Sequence, residues 1–212
     1  MIQNTTQGRK QTERRADSDA RMIRAALYLI AAHGAAGCSL AKVGIDAGYS
    51  RGLPVARFGT KLGLLEAVMD TSEAWFQRRL QRRIGDRTGL EALFIRISVH
   101  FEGARESSPA ATAVYQLYVE SMGADSELKP RMTAMSEGFR LGFRGHLEEA
   151  RAAGELVDGI DTDRFATVIL AAVRGGIIQA LVDDQGTRLE QVESDLVQMF
   201  RKVLTRPDRA RT

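Results

Sequence analysis

Apolar side chains recur at intervals of three and four residues along most of this chain, and this periodicity limits its fold more than any other feature. From about residue 20 to residue 204 the pattern is interrupted only by short groups rich in Gly, Ser and Pro. No segment alternates apolar and polar residues as a half-buried strand does, and no repeat of solenoid length occurs. The sequence therefore predicts an all-α protein of about nine helices.

Gly, Ser and Pro residues indicate where these helices end. We predict one helix closing at Gly34, then helices over about 40–47, 51–58, 60–83, 90–106, 109–122, 127–153, 162–182 and 189–204. Residues 1–16 are polar and aperiodic, so we expect a disordered basic arm. An N-terminal three-helix domain of residues 17–62, a larger helical domain of residues 63–206 and a tail of residues 207–212 complete the predicted organisation.

Composition indicates a cytoplasmic protein. The most apolar stretch, residues 165–173, is cut by Arg174 and two glycines, so we expect no membrane span. No apolar segment follows the cations of the N-terminus, as a signal peptide requires. Cys38 is the single cysteine of the sequence and cannot form a disulfide within the chain. We interpret it as a small buried residue rather than a redox sensor.

Nothing in the sequence indicates catalysis. The P-loop, His-Glu-x-x-His and Gly-x-Gly-x-x-Gly patterns are absent. The three histidines, His33, His100 and His146, lie far apart in sequence without the neighbouring ligands that a metal site needs. We therefore expect a protein that is not an enzyme and has no cofactor and no metal.

Positive charge is concentrated at the N-terminal end. Residues 1–61 contain ten Lys or Arg residues and four acids, a net charge of +6, whereas the remaining residues have a net charge of −3. This asymmetry favours a polyanionic partner at one end. Four arginines near residue 80 (Arg78, Arg79, Arg82 and Arg83) are typical of a solvated helix C-terminus; a second polyanion site is the alternative.

The sequence pattern of residues 40–58 predicts two short helices joined by a tight turn. Gly48 can adopt the left-handed conformation that ends a helix, and Ser50 can cap the next one. Two short helices joined by a glycine-containing turn are typical of a helix-turn-helix, whose second helix enters the DNA major groove. An ordinary helical hairpin is the alternative.

Two cations stand where acids are usually preferred. Arg51 directly follows Ser50 and Lys61 directly follows Thr60, which puts both at predicted helix N-termini, where the helix dipole favours negative charge. A DNA phosphate beside each would explain the placement. Arg57 can reach the same groove.

The run AKVGIDAGYSRGLPVARFGTKLGLL resembles the N-terminal domain of the TetR/AcrR family of transcriptional regulators over about residues 20–69. The matching positions are Ala47, Gly48, Ser50, Gly52, Phe58 and Lys61. The resemblance implies a DNA-facing surface, for which we predict Ser39, Ser50, Arg51, Gly52, Leu53, Val55, Arg57, Thr60 and Lys61. The chain departs from the family at Pro54-Val55, where Leu-Tyr is frequent. Val55 can meet a thymine methyl group instead, and Pro54 predicts a distorted or 3₁₀-like first turn.

The helix of residues 162–182 is apolar on nearly every side, so it needs two partners, such as its own core and a second subunit. We predict that it pairs with the last helix and their copies in a homodimer, as the family resemblance also implies; a single buried core helix is the alternative. The predicted interface residues are Phe165, Ile169, Val173, Gly176, Ile177, Leu189, Leu196, Met199 and Val203.

The middle helices contain aromatic and methionine side chains that suit an adaptable apolar pocket. The candidate ligand residues are Trp75, His100, Tyr115, Tyr118, Glu120, Met135 and Phe139, although residues at such spacing also form ordinary core. The leading hypothesis is thus a dimeric transcriptional regulator, a repressor, that binds double-stranded DNA at a palindromic operator and is released by a small-molecule effector. The alternative is a helical small-molecule-binding or interaction protein with impaired DNA binding.

Overall fold

Nine α-helices make up the part of the chain that the computed structural model describes, residues 3–183 and 185–205, with side chains from Gln11 onward. They are α1 Gln3–Gly37, α2 Leu40–Asp46, α3 Leu53–Phe58, α4 Lys61–Ile84, α5 Gly89–Glu106, α6 Ser108–Glu120, α7 Lys129–Ala152, α8 Thr162–Val182 and α9 Leu189–Leu204. The described residues contain no strand, and an isolated bridge joins Leu156 to Thr205. The all-α prediction is confirmed; the predicted tail lies outside these residues.

The first helix is longer than the sequence pattern indicated. Since α1 begins at Gln3, the disorder predicted for residues 1–16 is wrong from residue 3 onward. Residues 9–16 consist largely of good helix formers such as Arg, Lys, Gln, Glu and Ala, which extend a helix without an apolar stripe. The regular helix breaks at Gly34, as predicted, with φ 70° and ψ 172°.

The chain divides into two compact units. The first contains residues up to Ser72 together with Pro109–Lys129, so α6 belongs with α1, α2 and α3. Within it, Gln116 Nε2 donates to the Ala31 carbonyl at 3.1 Å. Its core is formed by Met22, Ile30, Cys38, Val43, Leu64 and Leu117, all fully buried. Burial raises the pKa of the Cys38 thiol. The functional boundary predicted at residue 62 stays a prediction.

The second unit contains Glu73–Ser108 and the chain from Pro130 onward, with α5, α8 and α9 packed together. Phe101, Ile169 and Val173 are fully buried in it. Two carboxylates satisfy the first amides of α5: Glu149 accepts from Gly89 N at 3.1 Å, and Glu155 from Leu90 N at 2.8 Å. These long-range caps fix α5 in place.

In composition, α8 matches a membrane span: its best 18-residue window has a mean hydropathy of 1.9, and 33% of that window is buried. The apolar stretch is therefore longer than residues 165–173, because Arg174 and two glycines interrupt it without making it polar. Helices that pack on both sides in soluble proteins have the same composition. The match is therefore weak support for a membrane location.

Candidate nucleic-acid interface and ligand site

A glycine turn ends α2 and redirects the chain into α3. Gly48 has φ 79°, its N–H donates to Ile45 O at 2.9 Å, and Tyr49 N donates to Gly44 O at 2.8 Å. This pair of hydrogen bonds is the Schellman arrangement, which needs a positive φ at the glycine. The prediction for Gly48 is confirmed.

The second short helix begins later than predicted. Its N-cap is Gly52 rather than Ser50, and no side chain caps it. Leu53 N donates to Ser50 O at 3.2 Å, so Arg51 and Gly52 form a turn ahead of the helix. Pro54 consequently occupies the first turn, where its missing N–H removes no helical bond. The expected irregularity is present, but in the turn before α3.

Close backbone contact holds the two helices together. An added Cβ on Gly44 would lie 2.5 Å from Ser50 O and 3.2 Å from Pro54 Cδ. A Cβ on Gly63, in the first turn of α4, would overlap the carbonyl oxygen of Phe58. Glycine at these two positions lets α2, α3 and α4 approach more closely than any larger residue would.

Most of the predicted DNA-facing residues are exposed. The exposed residues are Ser39, Ser50, Arg51, Gly52, Val55 and Thr60, while Leu53, Arg57 and Lys61 are half-buried. Val55 is 52% exposed, high for an apolar residue on a six-residue helix. Ala56 beside it is exposed as well.

Arg57 departs from the prediction. Its side chain is only 16% exposed; Nε lies 3.4 Å from Asp19 Oδ1, and Nη2 donates to Ser18 Oγ at 3.3 Å. The guanidinium is therefore held against α1 instead of extending into solvent. Periodicity could not reveal this, because the partners lie 38 and 39 residues earlier in the chain.

Ser39 and Thr60 each cap the helix that follows. Ser39 Oγ accepts from Lys42 N at 3.3 Å, and Thr60 Oγ1 accepts from Gly63 N at 3.0 Å. Lys61 is the first residue of α4, so a cation does stand at a long helix's N-terminus. It also lines a surface cavity of about 470 Å³ with Glu120, Asp125 and other residues of the first unit.

The sequence of the turn also matches Gly-x-Ser-x-Gly, a catalytic pattern that sequence reasoning missed. Gly48-Tyr49-Ser50-Arg51-Gly52 resembles the serine turn of α/β hydrolases, which joins a strand to a helix. Here helices stand on both sides of the turn, and the described residues contain no strand. The surroundings therefore do not support a nucleophile at Ser50.

The predicted ligand residues do not form one group within a unit. Tyr115, Tyr118 and Glu120 lie on α6 of the first unit. In the second unit, Trp75 and Phe139 pack against Phe76, Leu80 and Val99, and Met135 is buried. The His100 ring joins them, with centroids 4.4 Å from Phe76, 5.0 Å from Phe139 and 5.6 Å from Phe143.

Sequence reasoning missed Arg96, which lies in this aromatic cluster and is 7% exposed. Its guanidinium carbon lies 5.8 Å from the Phe76 ring centroid and 5.7 Å from that of Phe143. Burial lowers its pKa to about 10, and the pKa of His100 to about 3, with Arg96 and Arg174 adding to the His100 shift. The sequence did contain an indication of this placement. Arg96 lies three residues after the apolar Leu93 and four residues before His100, a spacing that puts all three on one side of a helix.

The outward face of α8 differs from the predicted one. Ile169, Val173 and Ile177 are at most 2% exposed, so these predicted interface residues belong to the core of the chain itself and not to its surface. Gly176 faces α9, because an added Cβ would lie 2.6 Å from Val192 Cγ1. The exposed stripe of α8 instead contains Val168, Ala171, Ile178 and Val182, with Gly175 in its middle. On α9, Met199 and Val203 are each 45% exposed, while Leu189 and Leu196 are half-buried, as is Phe165 on α8.

The arginines at the end of α4 are also only partly as predicted. Arg79 and Arg83 both pair with the buried Glu102 of α5, Arg79 Nε at 2.7 Å and Arg83 Nη1 at 2.5 Å. Two of the four cations therefore stabilise the packing of α4 on α5, whereas Arg78 and Arg82 are exposed.

No family model matches the chain, and no curated protein matches it. Solved structures do. A TetR-family transcriptional regulator from Rhodococcus sp. superposes with a TM-score of 0.78 at 19% identity, covering 90% of this chain and 100% of that one. The regulator FadR from Bacillus subtilis, in complex with stearoyl-CoA, gives 0.76 at 21% identity over 85% of this chain and 96% of that one.

A third similar structure is the complex of SmeT with triclosan, with a TM-score of 0.77 at 20% identity over 91% of this chain and 93% of that one. SmeT is the repressor of a multidrug efflux pump in Stenotrophomonas maltophilia. These neighbours are transcriptional regulators rather than enzymes, and some are bound to ligands. The chain has the fold of the TetR-family transcriptional regulators.

Proposed function

We propose that the protein is a DNA-binding transcriptional regulator that acts as a dimeric repressor in the cytoplasm. One observation carries the proposal: the Schellman turn at Gly48 sets a short helix, α3, beside α2 with Val55 and Ala56 exposed. A short helix held this way suits insertion into a major groove. No catalytic function is proposed.

The proposed DNA contacts are of two kinds, apolar contacts with bases and cationic contacts with phosphates. Val55 and Ala56 are apolar and suit the thymine methyl group in the major groove. Arg51, exposed in the turn before α3, and Lys61, at the N-terminus of α4, suit phosphates. Arg57 has a supporting role, orienting α3 through its contacts with Ser18 and Asp19.

The dimer is proposed to form through the exposed apolar stripe of α8 and the neighbouring side chains of α9. Val168, Ile178 and Val182 are 52%, 36% and 82% exposed. A stripe of this kind is favourably buried against a copy of itself in a four-helix interface. Two copies of α3 on a two-fold axis would read half-sites about 34 Å apart, which favours a palindromic operator.

The effector is proposed to bind in the second unit, near Trp75, His100, Met135 and Phe139. Fold neighbours whose complexes contain stearoyl-CoA and triclosan support the proposal that this protein binds a small molecule. The aromatic cluster is the proposed place for it. An effector that binds the DNA-incompetent state more tightly shifts the population away from DNA.

Selection of bound oligonucleotides from a random double-stranded pool tests the proposal. The expected result is a palindrome whose affinity falls steeply with salt. The Arg51→Glu, Lys61→Glu double variant is expected to lose this binding, whereas Arg78→Glu, exposed on the second unit, should retain it. A pool with no enriched sequence would rule out the regulator.

Two features favour a second candidate function. Arg57 is held against α1, and Val55 stands where the family frequently has a tyrosine. The second candidate is a helical ligand-binding protein with impaired DNA binding, since α3 then has only apolar side chains to offer to bases. In that case effector binding survives and oligonucleotide selection yields nothing.

A further inference from the structure

Arg96 is a buried cation whose hydrogen bonds are incomplete. Only 7% of the residue is exposed, and neither Nε nor Nη1 has a hydrogen-bond partner among the described residues. Burying a charge without a partner is costly, so proteins normally pair it. An unpaired buried guanidinium therefore needs an explanation.

The nearest source of negative charge is already engaged. Glu149 is the one acid whose charge raises the pKa of Arg96. Its Oε2 accepts from Gly89 N at 3.1 Å and lies 3.2 Å from His146 Nδ1. The carboxylate thus serves the N-terminus of α5 and His146, and it forms no ion pair with Arg96.

Other buried polar atoms in this region also lack hydrogen-bond partners. The Nε2 atoms of His100 and His146 are buried and without partners in the described part of the chain. Arg174, whose charge acts on His100, donates Nη2 to Ser136 Oγ at 3.0 Å. The region therefore has an excess of positive charge and of unsatisfied polar atoms.

Apolar groups surround these atoms. Phe76 and Phe143 lie over the guanidinium of Arg96 and leave its edge to hydrogen bonding. Gly142 makes room for it, because an added Cβ would overlap the guanidinium. Trp75 and Phe139 keep part of their surface exposed, so the aromatic cluster extends to the protein surface.

We infer that Arg96 is the anchor for the carboxylate of an anionic effector whose apolar body lies among Phe76, Phe139 and Phe143, with His100 and His146 completing the polar contacts. This inference rests on the proposed effector site and names its ligand class. A carboxylate satisfies guanidinium donors better than any neutral group, and aromatic rings accommodate an apolar chain or ring.

The test uses the full chain without DNA. Octanoate and 4-phenylbutyrate are titrated by calorimetry and thermal unfolding, with octanamide and 4-phenylbutyramide as neutral matches. The carboxylates are expected to bind and raise Tm, and the amides to bind at least about 10-fold more weakly.

Arg96→Met is expected to weaken carboxylate binding about 10- to 100-fold while raising the Tm of the ligand-free protein, because the unpaired charge is gone. A purely structural arginine would give the opposite change in Tm. Arg105→Met is the matched control: it removes an arginine of the same helix that is paired with Glu193, and carboxylate binding should be unchanged.

Equal carboxylate affinity in wild type and Arg96→Met, or no binding of either carboxylate to wild type, would overturn the inference. Binding through Arg96 by a protein that selects no DNA sequence would uphold it and reject the proposed regulator. The two failures are therefore distinguishable.

Discussion

The guanidinium of Arg57 lies 3.4 Å from Asp19 Oδ1, so a cation of α3 is paired with α1 instead of standing free at the helix surface. Arg51, six residues earlier, is exposed. These two arginines look equivalent in the sequence, but the structure gives them different surroundings.

We therefore expect Arg51→Gln to lower DNA affinity more than Arg57→Gln. Loss of one phosphate contact should reduce the slope of log Kd against log salt by about 0.9, and this change should accompany only Arg51→Gln. Arg57→Gln should instead lower the free energy of unfolding by about 0.5–1 kcal/mol. Fluorescence anisotropy across a salt series and urea unfolding measure the two effects. Equal slopes for both variants would contradict the assignment.

Gly48 and Gly52 form a second matched pair, since a Cβ on either would meet nothing within 4 Å. Only Gly48 has a positive φ, 79°, whereas Gly52 has φ −86°. Gly48→Ala should therefore destabilise the protein by about 1–2 kcal/mol, and Gly52→Ala should change stability by less than about 0.5 kcal/mol. Chemical denaturation measures both, and similar values for the two variants would reject the backbone argument.

The exposed stripe of α8 makes a prediction about assembly. Ile178→Asp should give a folded monomer, because a charge in the centre of an apolar interface is buried at high cost. Gln179→Asp introduces the same charge at the adjacent exposed position outside the stripe, and it should leave the dimer intact. Sedimentation velocity and circular dichroism separate assembly from folding. A dimeric Ile178→Asp protein would place the interface elsewhere.

Acid should destabilise the protein through His100. Its pKa is about 3 in the folded protein and 6.5 without the burial and the cationic neighbours Arg96 and Arg174. The unfolded chain therefore binds more protons between these values, so stability is full above pH 6.5 and falls as pH decreases. The loss attributable to His100 between pH 7.5 and pH 5 is up to about 2 kcal/mol.

Urea unfolding at pH 7.5 and pH 5 of wild type and His100→Gln measures this term, since the variant lacks the titrating group. His146, whose pKa burial also lowers, contributes in the same direction and remains in the variant. The variant should therefore lose less stability on acidification than wild type. Identical losses would show that His100 is accessible to protons in the folded state.

Several site features could be predicted because they depend on neighbours in sequence. Ser39 and Thr60 cap their helices through amides three residues on, and the positive φ of Gly48 follows from the tightness of its turn. Local chemistry of this kind is readable before any packing is known.

The start of α3 could not be predicted from neighbouring residues in this way. Ser50 is the better capping residue, yet the helix begins three residues later, at Leu53. The carbonyl of Ser50 and the ring of Pro54 both pack on Gly44, so contact with α2 favours the later start over the local capping preference.

By itself, the sequence determined the helical class, the approximate helix limits and the glycine turn, because periodicity and backbone preference act over a few residues. Only the tertiary structure decided which way ambiguous side chains face. On α8, apolar on nearly every side, packing of α5 and α9 buries Ile169 and Val173 and leaves Val168 and Ile178 outward. The same packing buries Arg96 among aromatic rings without an acid partner. Burial and pairing depend on residues distant in the chain, which no local pattern encodes.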